Sequence, residues 1–84
     1  MFYKVKSVQP LPGFNLLVSF VTSEKRQYDV TPLFNKWEAF KALRSTQGLF
    51  EQVKVDAGGY GISWNDEIDL SCDELYHNGK VIPQ

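Results

Sequence analysis

An 84-residue chain with nine Lys plus Arg, ten Asp plus Glu and a formal net charge of −1 has room for one domain and no second core. At 43% hydrophobic it is too apolar for a disordered chain, and it lacks the basic footprint on which nucleic-acid binding draws, so a nucleic-acid partner is disfavoured. Its single cysteine excludes an internal disulfide, and no apolar stretch reaches the length of a membrane span or of a signal-peptide core; a soluble protein of a reducing cytoplasm, with no membrane partner, is expected.

Residues 3–10 read as a first strand, with Tyr3, Val5 and Ser7 on one face and Lys4, Lys6 and Val8 on the other; the lysines mark an edge. Leu11-Pro12-Gly13 reverses the chain, because proline presets φ and glycine tolerates positive φ. Residues 14–21 are the clearest strand, pointing Phe14, Leu16, Val18 and Phe20 to the core. Thr22-Ser23-Glu24-Lys25 is a polar turn, and residues 26–30 return with Tyr28 and Val30 inward. These three strands form an antiparallel meander.

Thr31 reads as an N-cap with Pro32 at the first helical position. Asn35-Lys36-Trp37-Glu38 reads as a capping box opening a helix that runs to Leu43 or Arg44, with Trp37, Phe40 and Leu43 as its apolar stripe. A short turn over 46–50, containing Gly48, sends Leu49 and Phe50 inward. Residues 52–56 form a strand with Val53 and Val55 inward, and Ala57-Gly58-Gly59 turns it back.

The chain is organised around residues 60–75. A strand there carries Tyr60, Ile62 and Trp64 on one face. Asn65-Asp66-Glu67 turns it into a return strand, Ile68-Asp69-Leu70, and Ser71-Cys72-Asp73-Glu74 is a second capping box. The helix it opens is short and stops at Asn78-Gly79. Residues 1–79 are thus expected to form a single α+β domain: an antiparallel meander of three strands, a helix, then further antiparallel strands and a short C-terminal helix packed on the sheet. Residues 80–84 are a C-terminal tail or an edge strand through Val81 and Ile82.

Little in the chain points to chemistry. His77 is the sole histidine; Asp73 lies one helical turn before it, but acids gather in first helical turns and bases in last ones for electrostatic reasons alone. Cys72 sits near a helix start, which favours a thiolate, but beside the acids Asp73 and Glu74, which oppose its ionisation, and it reads as a small, partly buried residue. The acids Asp66, Glu67, Asp69, Asp73 and Glu74 lack the alternating spacing and central glycine of a calcium loop, and Gly58-Gly59-Tyr60-Gly61 lacks the lysine of a phosphate loop. No catalytic residue, cofactor or metal is expected.

Several segments carry a family resemblance. Leu16-x-Val18-x-Phe20, Asp29, Phe40-x-x-Leu43, Phe50-x-x-Val53-x-Val55-Asp56, Ile62-x-Trp64 and Asp69-Leu70-x-x-Asp73-x-Leu75-Tyr76 resemble the bacterial domain-of-unknown-function family numbered 2442, over about residues 5–77. The run from Trp64 through Asp69-Leu70 to Leu75-Tyr76 is its most specific part. Two turns, near Ser23-Glu24 and between Trp64 and Ile68, depart from the family pattern. The resemblance implies a small α+β fold, no established activity and no catalytic residues to carry over. It also implies an arrangement, found for some relatives, that is similar to a toxin–antitoxin pair.

The functional expectation is therefore a non-enzymatic protein-interaction or regulatory domain, with a protein partner or a second copy of itself. The chain carries six Phe, four Tyr and two Trp, and a domain this short buries only about 60–65% of its unfolded surface, so some rings are expected at a contact. Tyr28, Tyr60, Trp64 and Tyr76 are the contact candidates. The alternative is a small ligand-binding or catalytic domain using Asp69, Asp73 and His77, which requires those three groups to meet in a pocket.

Overall fold

The structure, a computed structural model, describes residues 2–83. It is α+β, with two antiparallel sheets and two short α-helices around one core. β1 (Val5–Leu11), β2 (Asn15–Phe20) and β3 (Lys25–Asp29) form the meander, and β7 (Lys80–Val81) adds to its far side, giving the order β1-β2-β3-β7. The second sheet is β4 (Lys54–Val55), β5 (Gly61–Asn65) and β6 (Ile68–Ser71), in that order. α1 (Ala42–Ser45) lies between the sheets in sequence, and α2 (Cys72–Asn78) follows β6 directly.

The alternation in β2 places Leu16, Val18 and Phe20 fully inside. In β1 the alternation breaks. A register shift between Val5 and Ser7 leaves Val5 buried and Ser7 exposed, and Val8 then faces Val18 and is half-buried. An extra residue in one strand moves later side chains to the other face, which is why Ser7 does not share the face of Tyr3 and Val5. The first strand also starts two residues later than expected.

Phe14 is not a residue of β2. It closes the Pro12-Gly13-Phe14 turn with φ +59 and is half-buried, edge-on to Phe34 and Phe50. The expected helix over 35–44 is also different. Thr31–Phe34 and Glu38–Lys41 are separate 3-10 turns, and only Ala42–Ser45 is α-helical. Neither Thr31 nor Asn35 caps a helix through its side chain. Asp29 instead accepts a hydrogen bond from the Thr31 backbone N–H at 3.0 Å, and Trp37, with extended backbone, starts the second turn. Phe40 and Leu43 are buried as expected, but Trp37 stands outside the helical run and 41% of it is exposed.

In the second sheet Ile62, Trp64, Ile68 and Leu70 all point inward. Tyr60 does not; it precedes β5 and is 48% exposed. Ser71 caps α2 by accepting from the Glu74 backbone N–H at 3.1 Å. Glu74 does not reach back in the reciprocal half of a capping box, because its carboxylate accepts from the Tyr28 hydroxyl at 2.7 Å.

The sheets meet where β1 crosses the turn between β4 and β5, and glycine makes that approach possible. Gly59 has φ +79, and a Cβ there would lie 2.7 Å from the Val5 carbonyl oxygen. A Cβ at Gly61 would lie 2.5 Å from the carbonyl oxygen of Leu70. The buried residues of both sheets, of the 3-10 turns and of α2 form one apolar cluster.

Candidate functional site

The four aromatic contact candidates do not share a surface. Trp64 is buried, and its indole Nε1 donates to the Phe50 carbonyl at 2.9 Å. Tyr28 is buried with its hydroxyl on Glu74; burial, then that hydrogen bond, push its pKa well above the ordinary tyrosine value. Tyr76 is half-buried and Tyr60 is exposed. Buried rings with a polar tip need a partner for that tip, and both Tyr28 and Trp64 have found one inside the fold.

Asp69, Asp73 and His77 are not joined to one another by any hydrogen bond or ion pair among the described residues. Asp69 is exposed on the outer face of β6. Asp73 is half-buried, with the Cys72 thiol 3.9 Å from its carboxylate. His77 is exposed and lies edge-on to Tyr3 and Tyr76, with ring centroids at 6.2 and 5.5 Å. Burial, then the Asp73 carboxylate, raise the Cys72 thiol above its ordinary pKa, so it rests as a protonated core residue. No group of three His, Cys, Asp or Glu side chains able to hold a metal occurs among the described residues. Among the described residues, no helix is long and apolar enough to cross a membrane.

Tyr76 belongs to a closed cation–aromatic cluster. The Arg26 guanidinium lies 3.9 Å from the Tyr76 ring centroid, and Tyr3 stacks on the same ring at 3.6 Å with planes 4° apart. Two groups at those distances cannot share one face, so the ring is sandwiched between them. Arg26 also donates to the Glu24 carboxylate at 2.9 and 2.6 Å and to the Tyr76 backbone carbonyl at 2.5 Å. The Tyr76 hydroxyl donates to the other oxygen of Glu24 at 3.1 Å, and burial together with this bond raises its pKa. The cluster ties the β2–β3 turn to α2.

Two surface features bring single candidates, Asp69 and Tyr60, together with residues outside the expected sets. The first is a cleft of about 330 Å³ lined by Trp37, Ala39, Phe40, Glu67 and Asp69. Phe40 is buried beneath it, tilted against Trp37 at 5.4 Å. The acids are placed by the β5–β6 turn, where Asn65 Oδ1 accepts from the backbone N–H groups of Glu67 at 2.8 Å and Ile68 at 3.0 Å. That turn buries Ile68 and Leu70, so Glu67 and Asp69 face out. Neither acid is in either of the two ion pairs found among the described residues, Arg26–Glu24 and Lys41–Glu38.

The second is a small apolar patch. Phe2, Val21 and Tyr60 are 60%, 58% and 48% exposed. Phe2 meets Tyr60 edge-on at 5.4 Å, the Lys4 ammonium lies 5.1 Å from the Tyr60 ring centroid, and the Val21 N–H donates to the Lys4 carbonyl at 2.9 Å. Lys4 thus has three exposed apolar residues beside it: Phe2 two residues before, Val21 across the backbone hydrogen bond and Tyr60 against its ammonium. Trp37 is expected in the core stripe of a helix and Glu67 in a plain turn, and no contact expectation falls on Phe2 or Val21. Lys36 and Glu38, polar on both sides of Trp37, were the one local sign that this ring is not enclosed.

No curated protein matches the chain, and no solved structure does. The family described as Protein of unknown function (DUF2442) matches residues 5–81, nearly the whole length. The chain therefore belongs to the DUF2442 family.

Proposed function

We propose that the chain is a non-enzymatic protein-interaction domain of the cytoplasm, that it self-associates, and that it serves as the regulatory member of a two-protein pair. The observation that carries this reading is the gathering of Phe2, Val21 and Tyr60 around Lys4, at the place where the two sheets meet. Scattered apolar side chains on a surface need no explanation, but contiguous ones on a small domain mark a contact. The marginal core of a chain this short gives association a stabilising role as well.

Sedimentation velocity of the full chain tests it, beside the double variant Val21→Ser, Tyr60→Ser. The expected result is a dimer for the parent chain at about 100 µM and a monomer for the variant, both with the same secondary structure; interfaces of modest size associate in this range. A parent chain that sediments as a monomer overturns the self-association.

A further inference from the structure

The Trp37 cleft holds the kinds of group found around Arg26, an aromatic face and carboxylates, but no cation sits on its acids among the described residues. Around Arg26, an aromatic face and a carboxylate enclose a guanidinium. In the cleft, the exposed face of Trp37 stands with two carboxylates, Glu67 and Asp69, and no cation of the chain pairs with either acid among the described residues. The Trp37 ring already attracts positive charge: the Lys36 ammonium lies 4.7 Å from its centroid. Indole is the best cation–π acceptor among the side chains, and a planar guanidinium suits it better than an ammonium because it stacks and forks to carboxylates at once.

We infer that this cleft docks an arginine side chain presented by a basic segment of a partner protein. The guanidinium lies against Trp37 with its N–H groups directed at Glu67 and Asp69, and its methylene stem lies over Phe40 and Ala39. This deepens the interaction reading, on which it rests, by giving the chemistry of the partner. It uses a different surface from the Phe2–Val21–Tyr60 patch.

The test is a titration of the full chain, followed by amide NMR, with a short blocked peptide of alternating glycine and arginine. The same peptide with citrulline, or with lysine, in place of arginine is the control. The expected result is saturable shifts of the Trp37 indole N–H and of the Glu67 and Asp69 amides with arginine, none with citrulline, and weaker binding with lysine. The double variant Glu67→Gln, Asp69→Asn and the single variant Trp37→Leu should each weaken binding by about tenfold. Both replace exposed side chains, and undisturbed shifts elsewhere verify the fold. Lys36→Ala, which removes a like charge beside the cleft, should tighten binding by about twofold. Equal shifts with citrulline, equal binding of the lysine peptide, or unchanged binding by the double variant overturns the inference. If arginine binding is absent while the patch-dependent dimer persists, only this inference is lost; if both are absent, the interaction reading is lost too.

Discussion

The Arg26 cluster and the Trp37 cleft are built from like parts and behave as opposites. Around Arg26 every polar group is answered from within the chain: the guanidinium by Glu24 and two α2-end carbonyls, the Tyr76 hydroxyl by Glu24, the Tyr28 hydroxyl by Glu74. Its side chains sit mostly out of water, with Arg26 at 14% exposure. The cleft presents an indole and two carboxylates to solvent, and among the described residues neither acid is in an ion pair. A charged group enclosed with its partners holds a fold together, because losing one partner strands the others, whereas the same group in water contributes little to stability and is free to meet something else.

The largest effect should come from the closed side. Arg26→Ala removes the cation from Glu24 and leaves the Tyr76 and Gly79 carbonyls without their side-chain donor. A loss of about 2–3 kcal/mol in urea unfolding is expected. Tyr28→Phe comes next; it leaves Glu74 without its hydroxyl donor at unchanged shape, for about 1 kcal/mol. The same bond gives an alkaline signature. The folded pKa of Tyr28 is raised, and that of Tyr76 with it, so both favour the folded chain while neutral. Their contribution is complete below the unfolded tyrosine value of about 10 and falls as pH rises above it. Stability followed by circular dichroism should therefore decline above about pH 10, and less steeply in Tyr28→Phe. The smallest effect belongs to the open side: the double variant Glu67→Gln, Asp69→Asn, at two exposed carboxylates, should move stability by no more than about 0.5 kcal/mol. A larger loss there would end the contrast, since those acids would then be holding the fold like Arg26.

The strands were legible in sequence where period-two alternation and turn chemistry agreed. Leu16, Val18 and Phe20 lie inward as their spacing requires, as do Ile62, Trp64, Ile68 and Leu70, and Ser71 caps α2. The failures have local causes. Phe14 continues the alternation of β2, but the turn needs a positive φ at that residue. Tyr60 continues that of β5, but the hairpin through Gly58 and Gly59 has not yet straightened there. Trp37 fits a helical stripe, yet the segment splits into 3-10 turns and it falls at the break. The site was less legible than the fold. An aromatic with a polar tip reads the same whether buried or exposed, and no spacing within one segment reveals that residue 37 will face residues 67 and 69. The stacking of Arg26 on Tyr76 was equally hidden, since the two lie 50 residues apart.

That separation sets an order of events during synthesis. The meander is translated before α2, so Arg26 leaves the ribosome with Glu24 beside it but without the Tyr76 carbonyl 50 residues downstream, and Tyr28 leaves it without Glu74, 46 residues downstream. Until then the Tyr28 hydroxyl and the part of the Arg26 guanidinium that Glu24 does not hold are left to water. The contacts of this face are therefore completed last, when residues 74 to 79 reach the meander.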